Sequence, residues 1–121
     1  MKVYRLSFGQ INIIEPDLAE VIIDDEVVMD VEMIDEYHEF LLAYLKAPFS
    51  LLVNKKNSYT YTFEAQRMIA SLNEIKAMAV VTHTAITEMS TSVLITMNQD
   101  KNWNIKLFQK REDALNWLKV L

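Results

Sequence analysis

Residues 49–81 read FSLLVNKKNSYTYTFEAQRMIASLNEIKAMAVV, and this stretch decides the fold. Residues 49–53 and 77–81 are short apolar runs of the kind found in parallel strands that are buried on both faces. Residues 62–74 lie between the runs and carry an apolar stripe at helical spacing, formed by Ala65, Met68, Ile69 and Leu72. We therefore predict a strand, a helix and a second, parallel strand.

The residues before this stretch alternate between apolar and polar side chains. Tyr4, Leu6 and Phe8 alternate with their neighbours, and Ile11 and Ile13 resume the pattern. Gly9 is predicted at the first central position of a type II′ turn. Residues 15–17, Glu-Pro-Asp, predict a second turn before a strand at 18–23. These signals indicate an antiparallel meander of three strands.

The spacing of the apolar residues then changes from two to three and four, which predicts the first helix at residues 30–46. Its apolar residues recur at spacings of three and four: Ile34, Tyr37, Leu41 and Leu45. Asp30 is the predicted N-cap, and Pro48 lies just past the end of the helix. The acidic residues of this segment fall on another face of the helix.

Strands and helices continue to alternate after residue 81. Helical spacing follows at Ile86, Met89, Val93, Leu94 and Met97. Residues 103–108 alternate as a strand, and residues 111–121 predict a helix that buries Ala114, Leu115, Leu118 and Leu121. The predicted order is βββαβαβαβα, and residues 1–121 are predicted to form a single domain. The predicted fold class is α/β: a mixed β-sheet, with an antiparallel N-terminal meander and then βαβαβα, and about four packed helices.

Composition excludes several chemistries. The 121 residues include no Cys, one Gly and two His, and the formal net charge is −5. Without Cys there is no thiolate nucleophile, cysteine zinc site or iron–sulfur cluster. A single glycine excludes the glycine-rich loops that bring backbone N–H groups to a phosphate. We predict a protein that is not an enzyme and has no cofactor.

The sequence also predicts a cytoplasmic protein with no membrane insertion. Its N-terminus, MKVYRL, has basic residues but lacks the apolar core of a signal peptide. The uninterrupted apolar runs are only a few residues long, whereas a membrane span needs roughly 18.

Together with this order of strands and helices, the C-terminal stretch FQKREDALNWL, residues 108–118, resembles a known family. The chain resembles the STAS superfamily, in particular its SpoIIAA-like branch, which is similar in length and closes on a strand and an Ala-Leu-x-Trp-Leu helix. The meander and residues 29–37, MDVEMIDEY, also look like the first half of that family. The resemblance implies a small regulatory or binding domain.

Some STAS members are switched by phosphorylation of a hydroxyl residue after the strand that corresponds here to residues 49–53. Their pattern is Asp-Ser followed by small residues, whereas this chain has NKKNSYTYT at 54–62. The resemblance therefore assigns the switch to no single hydroxyl of this chain.

The loop predicted at residues 54–62 is the first candidate site, because α/β folds place ligands at the carboxyl edge of the sheet. Its candidate residues for an anionic ligand or a phosphate are Asn54, Lys55, Lys56, Ser58, Thr60 and Thr62. Thr82, His83 and Thr84 end the next strand at the same edge and could complete a polar pocket. The alternative is that Thr62 caps a helix, that Tyr59 and Tyr61 cover the edge of the core, and that the lysines are solvated.

The first predicted helix is the second candidate site. Its candidate interface residues are Glu32, Glu36, Glu39, Phe40 and Tyr44, because aromatic side chains beside an acidic rim suit a protein partner or a homodimer. Alternatively, a wide buried face of the helix takes up both aromatic side chains.

Charge divides the chain into an acidic part and a basic part. Residues 1–45 have a net charge of −9 and residues 46–121 a net charge of +4. The acids lack the loop spacing and the glycine of an EF-hand, so an acidic surface that steers a basic partner is favoured over a metal site. No nucleic-acid binding is predicted, although Lys101, Lys106, Lys110 and Arg111 lie near Trp103 and Phe108.

Three functional hypotheses follow from these observations. The leading one is a non-enzymatic regulatory domain that binds a partner protein through the first helix and the 54–62 loop. The second is a carrier for a small molecule or lipid, with a pocket lined by Met and Tyr side chains. The third is an enzyme that uses His83, which would need an acid or a nucleophile within hydrogen-bonding reach.

Overall fold

A computed structural model describes residues 2–98 and 104–121, which form a six-stranded sheet, a two-stranded sheet and four helices. The strands are β1 (Lys2–Arg5), β2 (Gly9–Glu15), β3 (Leu18–Ile23), β4 (Val28–Met29), β5 (Phe49–Lys55), β6 (Thr60–Tyr61), β7 (Ile75–Thr82) and β8 (Ile105–Phe108). The helices are α1 (Val31–Tyr44), α2 (Phe63–Met68), α3 (Ala85–Met97) and α4 (Arg111–Lys119). The large sheet has the order β1-β2-β3-β5-β7-β8.

The pairing of the large sheet confirms the predicted α/β class with a mixed sheet. The first three strands pair antiparallel, and β3, β5, β7 and β8 pair parallel. The carboxyl ends of β5 and β7 meet at one edge, where Lys55 is in register with Thr82. The sheet thus brings together the two segments that the sequence analysis placed at this edge.

Gly9 serves a purpose other than the predicted one. The type II′ turn is wrong, because Gly9 begins β2 and its φ is not positive. The chain reverses over residues 6–9, where Leu6 N donates to Gly9 O at 2.8 Å. A Cβ atom at Gly9 would lie 2.3 Å from Ile22 O of the neighbouring strand. Glycine is required here by close backbone approach and not by turn geometry.

The helix α1 confirms the prediction at its start. Asp30 is the N-cap, and its side chain accepts a hydrogen bond from Met33 N at 2.9 Å. The buried face of α1 carries Ile34, Tyr37, His38 and Leu41. His38 is therefore a core histidine, whose Nε2 lies 3.3 Å from Ile69 O.

The segment between β5 and β7 differs from the prediction in two ways. The small parallel sheet of β4 and β6 was not predicted, and two residues per strand are too few for a period-2 signal. The helix predicted at 62–74 ends at Met68. Ser71 N and Ser71 Oγ both donate to Met68 O, at 3.1 and 2.8 Å, and this local hydrogen bonding competes with continuation of the helix.

Two apolar cores lie on opposite faces of the large sheet. On one face, α1 and α2 cover a core that includes Val21, Leu51, Val53 and Val80. On the other face, α4 covers Leu52, Ala79 and their neighbours through Ala114 and Leu118. The side chains of each strand alternate between the two faces, so adjacent residues at a strand end point to different surroundings.

The helix α3 lies on the same face as α1 and α2 but buries little of its apolar surface. The helix itself was predicted, and it begins after Thr84, which is the N-cap. Thr91 is buried and Leu94 packs against the core, yet Ile86 and Met89 are 79% and 69% exposed. The apolar stripe that predicted this helix thus faces largely outward.

Candidate functional site

The residues of the predicted 54–62 loop do not form one site. Asn54 and Lys55 belong to β5, Thr60 belongs to β6, and Thr62 is the N-cap of α2, where its side chain accepts from Ala65 N at 3.2 Å. Because Asn54 and Lys55 are consecutive in a strand, their side chains lie on opposite faces of the sheet. Asn54 and Lys55 therefore belong to a strand and not to the predicted loop, and Thr62 caps α2, as the alternative interpretation expected.

Asn54 joins a polar network on the α4 face. Its Nδ2 donates to Glu20 Oε2 at 3.0 Å, and its Oδ1 lies 2.7 Å from His83 Nε2. Arg111, at the start of α4, donates to both carboxylate oxygens of Glu20, at 2.9 and 3.0 Å. We call Glu20, Asn54, His83 and Arg111 the Glu20 network. Burial acts to raise the pKa of Glu20, but the hydrogen bonds from Arg111 and Asn54 outweigh it, and the pKa is lowered.

His83 has the Asn54 amide as its described hydrogen-bond partner, and that partner is neither an acid nor a nucleophile. The hydroxyl groups beside it in sequence do not supply one, because Thr82 is buried and Thr84 Oγ1 bonds to Thr87. Residues 82–85, Glu88 and Gln109 line an open depression of about 320 Å³. Within residues 2–98 and 104–121, His83 thus lacks the partner that the enzyme hypothesis requires.

Lys55 projects into the opposite face, among the side chains beneath α3. Only 9% of this residue is exposed, although lysine is rarely buried. Its Nζ lies 5.3 Å from the centroid of the Tyr59 ring and 5.6 Å from that of Tyr61, which are cation–π contacts. Burial lowers the pKa of Lys55 from 10.5 to about 8. Sequence analysis placed Lys55 in a polar loop, and the structure corrects this placement.

A groove of about 420 Å³ runs between α3 and the segment 59–61. We call it the Lys55 groove, and its lining residues are Lys55, Tyr59, Thr60, Tyr61, Gln66, Met89, Ser90, Val93, Leu94 and Met97. A smaller inner cavity of about 30 Å³ lies under α3 and shares Lys55, Tyr59, Tyr61 and Leu94 with the groove. Lys55 therefore stands where an open groove meets the interior of the fold.

The candidate interface on α1 is partly exposed. Glu32 and Glu39 face solvent, whereas both carboxylate oxygens of Glu36 accept hydrogen bonds from Ser7. The rings of Phe40 and Tyr44 stack with centroids 4.4 Å apart, and Tyr44 is about half exposed. Tyr4 of the edge strand β1 contacts both rings at 5.2 and 5.0 Å. Phe40 and Tyr44 thus form one aromatic cluster with Tyr4, Glu32 and Glu39 are exposed on the same helix, and Glu36 has a local partner.

The acidic turn after β3 holds neighbouring segments in place. Asp24 forms an ion pair with Arg5, and Asp25 Oδ1 accepts from Ser58 N at 2.9 Å. Asn57 Nδ2 donates to Ile23 O at 2.8 Å. These contacts orient the segment that leads to Tyr59, so the acidic run helps to build one wall of the Lys55 groove. The side chains of Lys56, Ser58 and Thr60 are exposed.

The basic residues near the C-terminus are divided between separate contacts. Lys106 Nζ lies 5.4 Å from the ring centroid of Phe108 and 5.9 Å from that of Trp117, while Arg111 binds Glu20. Lys101 and Trp103 lie outside the described residues. Among the described helices, none has the length and apolar character needed to cross a membrane.

Sequence reasoning missed Glu20 and Arg111 as partners, and it missed the burial of Lys55. A signal for Lys55 was present, because the alternation that puts Leu51 and Val53 on the core face continues to position 55. No such signal existed for Glu20 and Arg111, which are 91 residues apart in sequence. Their pairing depends on α4 packing against the sheet.

Comparison with known proteins finds a solved structure with a similar fold and a family that matches the sequence. A solved structure from Shewanella loihica PV-4, an uncharacterised protein of the DUF3478 family with a SpoIIAA-like fold, superposes with a TM-score of 0.57. The two sequences are 17% identical, and the match covers 97% of this chain and 90% of the other, which confirms the SpoIIAA-like fold. No curated protein matches the sequence. Residues 13–121 match the family DUF7793, a domain of unknown function, and the chain belongs to that family.

Proposed function

We propose that this protein is a non-enzymatic binding domain that holds a small, largely apolar ligand in the Lys55 groove. The observation that carries the proposal is the groove of about 420 Å³ between the apolar side chains of α3 and the Tyr59–Tyr61 segment. Ligand sites are typically concave, about 300–1,000 Å³ in volume, and lined by apolar and aromatic groups with a few polar ones. The groove has this size and this composition.

The exposed apolar surface of α3 supports the same proposal. Val93 is 53% exposed, and together with Met89 and Met97 it forms a continuous wall of the groove. Exposed apolar patches on soluble domains mark binding surfaces more often than isolated exposed side chains do. Methionine suits such a surface because its flexible thioether adapts to ligands of different shape.

The Glu20 network favours binding over catalysis. His83 is oriented by Asn54 on the α4 face, whereas the groove lies on the face covered by α1, α2 and α3. General acid–base catalysis requires the histidine within hydrogen-bonding reach of a reacting group. His83 is not among the residues that line the groove.

Binding of Nile red, a neutral apolar dye, tests the proposal. The variant Val93→Asp places a charge in the wall of the groove and should weaken dye binding at least tenfold. The matched control is Val3→Asp, because Val3 is 56% exposed but lies on the edge strand β1, away from the groove. Dye fluorescence titrations of the wild type and both variants measure the affinities, and circular dichroism checks that each variant is folded.

Two results would contradict the proposal. The first is failure of the wild type to bind the dye at micromolar concentrations. The second is equal loss of binding in Val93→Asp and Val3→Asp, which would place the dye elsewhere on the surface.

The aromatic cluster on α1 favours a second candidate function, binding of a partner protein with a basic surface. Tyr4, Phe40 and Tyr44 form a partly exposed aromatic patch, and the exposed Glu32 and Glu39 add negative charge to the same helix. Aromatic side chains beside charged residues are typical of interaction surfaces. The test is crosslinking in intact cells with the double variant Glu32→Lys, Glu39→Lys. Persistence of every wild-type crosslink in the double variant would exclude this surface as the binding site.

A further inference from the structure

The environment of Lys55 is unusual for a charged side chain. Lys55 ends β5 on the same face as Leu51 and Val53, and the residue is 9% exposed. Its neighbours come from several elements: Val21 and Ile23 of β3, Tyr37 of α1, Val80 of β7 and Leu94 of α3. The polar groups of this lining are the phenols of Tyr37, Tyr59 and Tyr61 and the hydroxyl of Thr91, which donates to Thr87 O at 2.8 Å; the other side chains are apolar.

The amine has no counter-ion among residues 2–98 and 104–121. The structure gives Nζ two ring contacts and neither a hydrogen bond nor an ion pair. The titratable groups that line the inner cavity with it are Tyr37, Tyr59 and Tyr61, all of which have raised pKa values because of burial. These phenols stay neutral at physiological pH and leave the charge of Lys55 uncompensated. A buried charge is normally paired or hydrogen-bonded, and within the described ranges no side chain gives Nζ such a partner.

Lys55 still carries its charge at neutral pH. Burial lowers its pKa to about 8, so about nine-tenths of the molecules are protonated at pH 7. An ammonium group in a low-dielectric site attracts an anion more strongly than a solvated one does. The Lys55 groove provides an opening through which an anion can reach it.

We propose that Lys55 binds the carboxylate of an amphipathic ligand, such as a medium-chain fatty acid, whose apolar chain lies along Met89, Val93 and Met97. This inference rests on the proposed ligand-binding function and names the ligand class. Tyr61 Oη donates to Tyr59 Oη at 3.4 Å, which leaves the hydroxyl hydrogen of Tyr59 as a second donor for the carboxylate. The lining thus supplies one cation and one neutral donor beside an apolar wall.

The chemistry of the lining favours a carboxylate over a phosphate. Phosphate groups are usually bound by arginine forks or by several backbone N–H groups, because they carry more charge and more acceptor oxygens. Among the described residues, the lining of the groove contains no arginine, and its other polar side chains are Thr60, Gln66 and Ser90. A single ammonium group matches the single charge of a carboxylate.

Isothermal titration calorimetry with decanoate and decanol tests the inference, because the two probes share a chain and differ in the charged head. We expect the wild type to bind decanoate about tenfold to a hundredfold more tightly than decanol, the range expected for a hydrogen bond to a charged group. Lys55→Met should bind both probes alike, and Lys55→Arg should keep part of the preference. Lys56→Met is the matched control, since Lys56 is the exposed neighbour, and it should behave as the wild type.

The pH dependence of binding gives an independent readout. Decanoate affinity of the wild type should fall as the pH rises above 8, because Lys55 loses its proton there, and decanol affinity should not change. Equal affinities for the two probes in the wild type, at every pH, would overturn the role of Lys55 and leave the proposed function standing. Failure of the wild type to bind decanol, decanoate and Nile red would overturn both.

Discussion

Replacing Lys55 by methionine should stabilise the protein at pH 7, although it removes the group proposed to bind the ligand. Lys55 is buried without a counter-ion among the described residues, and its pKa falls from 10.5 to about 8. Methionine has a similar length and volume and carries no charge. The variant therefore keeps the packing of the side-chain stem and removes the buried ammonium.

The magnitude follows from the pKa. A tenfold change in a proton-binding constant is about 1.4 kcal/mol, so lowering the pKa of Lys55 from 10.5 to about 8 corresponds to about 3 kcal/mol. The cation–π contacts with Tyr59 and Tyr61 stabilise the ammonium by about 0.5–2 kcal/mol, and the variant loses this stabilisation. We expect Lys55→Met to raise the free energy of unfolding by about 1–3 kcal/mol at pH 7. For a domain of this size, the melting temperature rises by about 4 °C per kcal/mol.

The pH dependence identifies the cause. Below pH 8, Lys55 is charged in both the folded and the unfolded chain, so the full penalty is present. Between pH 8 and 10.5, the folded chain loses the proton first and the unfolded chain still binds it, so the wild type gains stability relative to the variant. The advantage of Lys55→Met should therefore shrink by about 3 kcal/mol across this interval.

Urea unfolding from pH 7 to pH 10.5, followed by tryptophan fluorescence, measures the difference. Lys56→Met is the control, because it makes the same replacement at the neighbouring position, where the side chain is exposed. The reasoning is refuted if the difference between Lys55→Met and the wild type is independent of pH. Such a result would mean that the folded chain does not bury Lys55 as an ammonium group.

Three further predictions concern other parts of the fold. Glu20→Gln should lower the free energy of unfolding by about 1–3 kcal/mol in urea titrations, because the hydrogen bonds from Arg111 lose their charged acceptor. Since the pKa of Glu20 is lowered from 4.5, this loss of stability should be full above pH 4.5 and should disappear as the pH falls below that value. A loss that persists at low pH would show that the charge of Glu20 is not its cause. Gly9→Ala should lower the free energy of unfolding by about 1–3 kcal/mol, and with it the melting temperature, because the new Cβ would lie 2.3 Å from Ile22 O. An unchanged melting temperature would show that β2 and β3 separate easily. His83→Ala should leave decanoate affinity in calorimetry within about twofold of the wild type, because His83 hydrogen-bonds to Asn54 and does not line the groove. A tenfold loss would place the ligand elsewhere.

The fold was largely predictable because its signals are local. The apolar runs at 49–53 and 77–81 lie within β5 and β7, and the helical spacing predicted α1, α3 and α4. The errors arose where longer-range or very short structure decided the outcome. The requirement for glycine at position 9 depends on how closely β3 approaches, and β4 and β6 are too short for a periodic pattern.

The candidate site was only partly predictable, because a residue's position in the chain does not reveal the face on which it lies. Asn54 and Lys55 were predicted as members of one loop, and the strand separates them by pointing their side chains in opposite directions. The stripe on α3 predicted a helix correctly, but the pattern is the same whether the stripe meets the core or solvent. Its exposure depends on how α3 sits on the sheet.

By itself, the sequence determined the fold class, the family resemblance and the absence of cysteine and glycine-loop chemistry, because composition and periodicity are properties of the chain alone. Tertiary structure decided which of the lysines is buried, which carboxylate meets Arg111 and which apolar face is left open. These features depend on segments far apart in sequence, and packing of those segments sets the solvation of each charge. The Lys55 groove exists only because β5, β6 and α3 converge.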